Sequence, residues 1–408
     1  MPPDSTENSR KKSAFAYVFE RFPTFTQTFC FREVLAVRQQ GVDPQIYSIR
    51  TPKEEPFQDF PEELQKDTCY VPQDLRTALK KCSKDIPFKA RVLLAAWRLV
   101  KRIPDRHRAQ DAAWLGTRLR ADGVRHVHSH FAGVGARVIW WLKKFYGIDY
   151  SFTAHANDVF CAEVETPVTR EKLFRDAKLV VTVSDYSLRF LQEKYPFAAS
   201  KIHRVYNGMN LDRFEKSNPD AANPLILTIG RYIPKKGFLD LIDACAALKD
   251  RTFICQIIGQ GPMEEELKQR VAAHGLEGKV EITGPRSESE IIALLRKTAI
   301  FALPCIDAGE DGKDNLPTVI MEAMAASVPV VSTPVAGVPE MVVDGETGYL
   351  IPEKNSQVLA EKLRLLLDDP AEARKMGEKG RVHAEENFAL HKTSAMLCEL
   401  WRKYGALS

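Results

Sequence analysis

The chain has 408 residues, 44% hydrophobic and 27% charged, with a formal net charge of +4. That is ordinary globular composition with length enough for two domains, and the charge is too small to decide a partner by itself. The eight cysteines are scattered without a Cys-x-x-Cys pair, which argues against a zinc cluster or disulfide scaffold and for a reducing compartment. No apolar run approaches the roughly 20 residues needed to cross a bilayer. The stretch from Met1 to Lys12 is polar and charged, unlike a signal peptide or anchor, so a soluble, cytoplasmic protein is expected.

In chain order, Ser13 to Phe19 reads as a strand, Thr26 to Gln40 as a helix ending at Gly41, and Gln45 to Ile49 as a second strand. Between Arg76 and Arg108 lie eleven Lys or Arg against two acids, Asp85 and Asp105. Within that stretch Phe88, Val92, Leu93, Ala96, Trp97 and Val100 recur at helical spacing, predicting a basic amphipathic helix over 88–103. It is either a solvated face packed on its own domain or a contact with an anionic membrane. Nucleic acid is not expected, because no aromatic interleaving or recognition motif accompanies the charge.

Further strands are expected at Val124 to His128, Tyr150 to Thr153, Leu179 to Val183 and Ile202 to Val205, separated by helices. This is the pattern of a parallel α/β sheet. The polar, Pro-containing residues 215–224 read as a linker. The pattern restarts with strand Leu225 to Ile229 and helix Phe238 to Leu248, then strands at Phe253 to Ile258, Val280 to Thr283, Ile300 to Leu303 and Val330 to Ser332. Two doubly wound domains follow, 1–214 and 215–386. A final helix over 387–408 crosses back to the first domain, and ligands are expected in the cleft between the two.

Two stretches carry the chemistry. Asp314 and Glu322 stand eight positions apart astride a helix start, with Pro317 suited to its first turn. Free backbone N–H groups there favour a phosphate, and each carboxylate can hold a pair of sugar hydroxyls. Gly230-Arg231-Tyr232-Ile233-Pro234-Lys235-Lys236-Gly237 lies between a strand and a helix, where Arg231 and Lys236 set two cations at a strand's carboxyl end.

Together with Gly345-Glu346-Thr347-Gly348-Tyr349-Leu350, these stretches resemble glycosyltransferase family 4, which has the GT-B architecture and retaining chemistry. The opening Arg21-Phe22-Pro23-Thr24-Phe25-Thr26-Gln27-Thr28-Phe29 resembles its exopolysaccharide, colanic-acid-type branch. The resemblance implies that Arg231 and Lys236 bind the donor diphosphate, Glu322 holds the nucleotide ribose, and Asp314 the transferred sugar. Asn315, Leu316, Pro317, Thr318 and Val319 would face the sugar and phosphate at the helix start. Gly259, Gly261, Pro285 and Arg286, with Gly230, would shape the donor pocket. His155 would face the donor sugar from the first domain. Thr26, Gln27 and Thr28 would lie on the acceptor side, with His128 or His130 lining the cleft. The chain departs from the family at Asp314, where Glu is usual, and at Gln27, where this branch usually has Glu.

His126-x-His128-x-His130 places alternate histidines on one strand face, but no Asp, Glu or Cys is spaced nearby to complete a metal site. Asn157 and Asp158, placed on the acceptor side, are expected chiefly to fix their loop through side-chain to backbone hydrogen bonds, with contact to substrate as the alternative. The resemblance thus implies a retaining transferase that needs no metal or cofactor. It would move a sugar from a UDP-sugar or GDP-sugar to an acceptor glycan or lipid-linked saccharide. An epimerase of the same fold and a non-catalytic sugar-nucleotide-binding scaffold are the alternatives.

Overall fold

Short apolar runs alternating with helices build two sheets in which every strand pairing is parallel. The computed structural model describes residues 13–24, 27–52, 60–96, 105–161, 166–309 and 312–407, with Asn157 as backbone only. The first sheet contains β1 (Phe15–Arg21), β2 (Gln45–Arg50), β3 (Thr68–Tyr70), β4 (His126–His130), β5 (Asp149–Ala154), β6 (Leu179–Thr182) and β7 (Ile202–Arg204), in the order β3-β2-β1-β4-β5-β6-β7. The second contains β8 (Leu225–Ile229), β9 (Ile254–Ile258), β10 (Val280–Thr283), β11 (Thr298–Leu303), β12 (Val330–Ser332) and β13 (Gly348–Leu350), in the order β10-β9-β8-β11-β12-β13. Helices cover both faces of each sheet, which is why central strands such as Leu179–Thr182 are buried along their whole length. β3 and β13, three residues each, fall outside the expected strands.

Strand order reverses between β1 and β4 in one sheet and between β8 and β11 in the other. A crevice opens at the carboxyl ends of strands at such a switch point. The turn after β8 carries Gly230 to Gly237, and the loop after β11 runs to Asp314. Opposite them, the chain after β1 leads to helix Thr28–Gln39, and β4 and β5 end at His130 and Ala154.

The chain crosses between the domains at two adjacent places. Met209 donates its N–H to Phe388 O at 2.8 Å and accepts from Leu390 N at 3.0 Å. The expected linker at 215–224 is already part of the second domain, where Ser217 N bonds Ala326 O and Asn218 N bonds Arg296 O. The expected last helix is Leu390–Lys403; the helix before it, Pro370–Asn387, ends ahead of Phe388 and Ala389, where the chain changes domain. Leu390–Lys403 packs on helix Thr28–Gln39, and its Leu397, Cys398 and Trp401 join the core of the first domain.

Residues 97–103 of the expected basic helix lie outside the described residues. The described helix, Phe88–Ala96, buries Ala90 and leaves Phe88 73% and Val92 51% exposed. Its apolar stripe therefore does not all turn inward. Among the described residues no helix is long and apolar enough to cross a membrane.

Candidate active site

The turn after β8 is fixed by close backbone approach. Gly237 has φ +66°, and a Cβ there would sit 1.8 Å from the Pro304 carbonyl oxygen at the end of β11. A Cβ on Gly259 would meet the Gly230 carbonyl oxygen at 1.9 Å. These contacts draw the ends of β8, β9 and β11 together and deliver Lys235 and Lys236 to one acid. Lys236 Nζ lies 2.5 Å from Asp314 Oδ2, and Lys235 Nζ lies 3.5 Å from Oδ1. Burial alone would raise the Asp314 pKa, but Lys236 and then Lys235 hold it below the usual carboxylate value. Burial likewise works against the charge on Lys236, and Asp314 more than restores it. Arg231 differs from both lysines, being exposed and without an acid partner among the described residues.

Helix Thr318–Ala325 starts after Pro317 with no side chain capping it. Ile320 N bonds Pro317 O, which leaves the first amides, Thr318 and Val319, available beside the cavities those residues line. One turn on, Glu322 is mostly shielded from water, and Arg32 Nη2 from the first domain stands 3.6 Å from its carboxylate. Arg32 Nη2 also lies 2.6 Å from Glu288, which Arg213 meets at 2.6 Å from the other side. Burial raises the Glu322 pKa, with Arg32 opposing.

Two cavities open along this wall. The larger, about 680 Å³, contains Glu322, Gly259, Gly261, Pro285 and Arg286. The smaller, about 400 Å³, contains Lys235, Lys236, Asp314 and, from the first domain, His155, Phe29 and Phe131. They meet at Thr28, Arg231 and Thr318, which border both.

His155 follows β5, with its ring against Phe29 and Phe131 at centroid distances of 4.7 and 4.6 Å. Its backbone N–H donates to Asp158 Oδ2 at 3.0 Å, so Asp158 holds the loop. Behind it, His130 Nδ1 lies 3.1 Å from His155 Nε2 and His130 Nε2 lies 3.1 Å from Glu33 Oε1. His128 is deeper, with Nδ1 2.8 Å from Ser151 Oγ and Nε2 3.0 Å from Thr153 Oγ1. Neither His128 nor His130 borders the smaller cavity; His155 stands in front of them. Ligand atoms of Glu33, His128 and His130 approach within 4.8 Å of one another. Hydroxyls already engage both nitrogens of His128, so hydrogen bonding accounts for this group without an ion.

The comparisons with known proteins follow the same division. Residues 27–213 match the model for Glycosyltransferase Family 4, and residues 210–383 match that for Glycosyl transferases group 1. A protein named for colanic acid biosynthesis, the glycosyltransferase WcaL of Escherichia coli, is 33% identical over 281 residues, 67% of this chain and 68% of WcaL. The chain belongs to glycosyltransferase family 4. The amylovoran biosynthesis glycosyltransferase AmsK of Erwinia amylovora, 31% identical over 283 residues, covers 67% of this transferase and 68% of AmsK. Both relatives place it in the exopolysaccharide branch. Among solved structures, a glycosyltransferase from Rickettsia africae has a TM-score of 0.73 at 18% identity, over 96% of this chain and 98% of that one. HepE of Anabaena in complex with UDP has a TM-score of 0.69 at 16% identity, over 95% and 99%. These last two share the GT-B fold.

Gly230, Gly259, Gly261, Pro285, Arg286, Val319 and Glu322 border the larger cavity of the transferase, and Gln27, Leu316 and Pro317 the smaller. Asn315 also borders the smaller cavity, yet its side chain bonds Ser184 Oγ at 2.5 Å and Ser187 Oγ at 3.1 Å, tying the domains together. Thr26 lies outside the described residues, as does the side chain of Asn157. Sequence reasoning passed over Arg32, Glu33, Phe29 and Lys235. The doubled lysine was the one visible signal among them.

Proposed function

We propose that this transferase moves a sugar, with retention and without a metal, from a nucleoside diphosphate donor to a hydroxyl of a lipid-linked saccharide. The observation that carries the reading is the junction of the two cavities at Arg231, beside the uncapped start of helix Thr318–Ala325. A nucleoside in the larger cavity and a sugar in the smaller would put the diphosphate at that junction, between a free guanidinium and backbone N–H groups. UDP or GDP would meet Glu322 through the ribose hydroxyls.

Charge develops on the departing phosphate oxygen, and fixed cations and amide dipoles stabilise it. Asp314 is the one carboxylate bordering the smaller cavity among the described residues, and its two oxygens face Lys235 and Lys236. That favours front-face attack over a covalent glycosyl-enzyme. The acceptor oxygen bonds to the anomeric carbon as the bond from that carbon to the phosphate oxygen breaks, and the departing phosphate takes the acceptor's proton. The hydrogen-bonded environment of His128 and His130 supports the metal-independent reading. Phe88 and Val92, exposed beside Lys89 and Arg91, suit contact with an anionic bilayer that carries the acceptor, on the cytoplasmic side where nucleotide sugars are made.

Thermal-shift screening against UDP, GDP and their sugars should reveal a stabilising donor. Incubating that donor with lipid extract should then give a product whose anomeric configuration matches the donor's and whose yield survives a chelator. Inversion, or loss of activity with the chelator, would reject the mechanism. Flotation with anionic vesicles should fall when Phe88 and Val92 become Ser and Lys89 and Arg91 become Gln; equal flotation would reject the membrane contact.

A further inference from the structure

We propose that Glu33 and His130 form a buried relay that sets the proton on His155, so that His155 presents an N–H rather than a lone pair to the sugar cavity. The inference rests on the donor-sugar reading of that cavity.

Glu33 Oε1 receives the Tyr17 hydroxyl at 2.7 Å and His130 Nε2 at 3.1 Å. As a carboxylate Glu33 accepts from both, which puts a proton on His130 Nε2. The 3.1 Å contact between His130 Nδ1 and His155 Nε2 can hold only one hydrogen. If His130 is the imidazolium it donates there, His155 Nε2 accepts, and the proton of neutral His155 must sit on Nδ1. Among the described residues Nδ1 has no hydrogen-bond partner, and His155 borders the smaller cavity. If His130 is neutral, the shared proton belongs to His155 Nε2 and Nδ1 offers a lone pair. Passing from the first form to the second releases one proton, from His155 Nδ1, while the His130 Nδ1 proton moves onto His155 Nε2.

The surroundings favour the first form. Burial works against a charge on His130, but Cys30 and Glu33 beside it hold its pKa well above the ordinary histidine value. Burial raises the Cys30 thiol pKa, and His130 beside it opposes that shift. From the other elements packed around the ring come Tyr17, His128, His155 and Asp158, with Cys398 beyond Tyr17. Burial keeps His128 and His155 neutral, so neither competes for the proton. Glu33 and His130 are therefore positioning residues that act through His155.

The test uses two near-isosteric variants of the full chain, Glu33→Gln and Tyr17→Phe, with histidine tautomers read by nitrogen-15 NMR on the unliganded protein. Wild type at neutral pH should show His155 protonated on Nδ1. Glu33→Gln should move the proton to Nε2, lower the pH at which His130 titrates, and reduce kcat/KM about tenfold or more, as expected for losing one charge-assisted hydrogen bond. Its alkaline activity limb should shift to lower pH. Tyr17→Phe removes a competing donor from Glu33 and should shift both titration and limb upward. An unchanged His155 tautomer in Glu33→Gln, or the same downward shift in both variants, would overturn the relay. If Glu33→Gln does not fold, the Tyr17→Phe shift decides: upward supports the relay, and any other result rejects it. The NMR readout needs no substrate, so absence of transferase activity in the wild type would count against the proposed reaction and not against the relay.

Discussion

Arg32 reaches from the first domain to Glu322 in the second, its Nη2 3.6 Å from the carboxylate and 2.6 Å from Glu288. The acid proposed to receive the ribose is thus already held by a cation from the opposite side of the cleft. Replacing Arg32 by Ala removes one of the cations that meet Glu288 and the cation that faces Glu322 from across the cleft, where both carboxylates are largely shielded from water. Loss of one partner from a buried pair costs about 3 to 5 kcal/mol. A lowered unfolding midpoint and at least about tenfold weaker nucleotide binding by calorimetry are expected. Binding equal to wild type would show that Arg32 does not organise Glu322.

Arg231 and Lys236 should separate function from folding. Arg231 is exposed and unpaired among the described residues, so Arg231→Ala should cut kcat by about 100-fold or more while leaving the melting curve unchanged. Lys236→Ala should cut kcat comparably and also destabilise the protein by about 3 kcal/mol, because Asp314 loses its nearer cation. Equal melting temperatures for the two variants would contradict the buried pair.

Gly237 is required on two grounds and Gly41 on one. Both have positive φ, +66° and +80°, but a Cβ at Gly237 strikes the Pro304 carbonyl whereas one at Gly41 meets open space. Gly41→Ala should cost about 1 kcal/mol in urea denaturation and Gly237→Ala about 3 kcal/mol or more. Equal costs would mean that the approach of β8 to β11 is not rigid.

Asp158 supplies a pH signature. Burial pushes its pKa up to about 6, against about 3.9 in an unfolded chain. A raised carboxyl contributes stability that is fully present below the unfolded value and lost as pH rises through the folded one. Asp158→Asn removes this dependence and keeps an oxygen to accept the His155 N–H. Relative to wild type the variant should therefore be more stable at pH 7 than at pH 3.9, by about 3 kcal/mol. A difference independent of pH would reject the raised value.

Contiguous features were legible in the sequence. The Asp314 to Glu322 spacing, the Gly-Arg turn and the apolar strands each lie within one stretch, where chain geometry alone sets neighbours. Arg32 escaped because its partner Glu288 is 256 residues away, and an arginine inside an amphipathic helix reads as surface. His130 and His128 were expected at the cleft because they end a strand there. Helix Thr28–Gln39 instead brings Glu33 over His130, and β5 ends in His155 one layer nearer the cavity.

Trp401 is fully buried among Phe15, Tyr17 and His128, from the first and fourth strands of the chain. During synthesis those strands emerge with one wall of their core still untranslated, and the gap can close only once Trp401 has been made. The second domain has no such debt to the carboxyl terminus beyond helix Pro370–Asn387. The core of the first domain can thus be completed only after the last helix of the second, Pro370–Asn387, has been made.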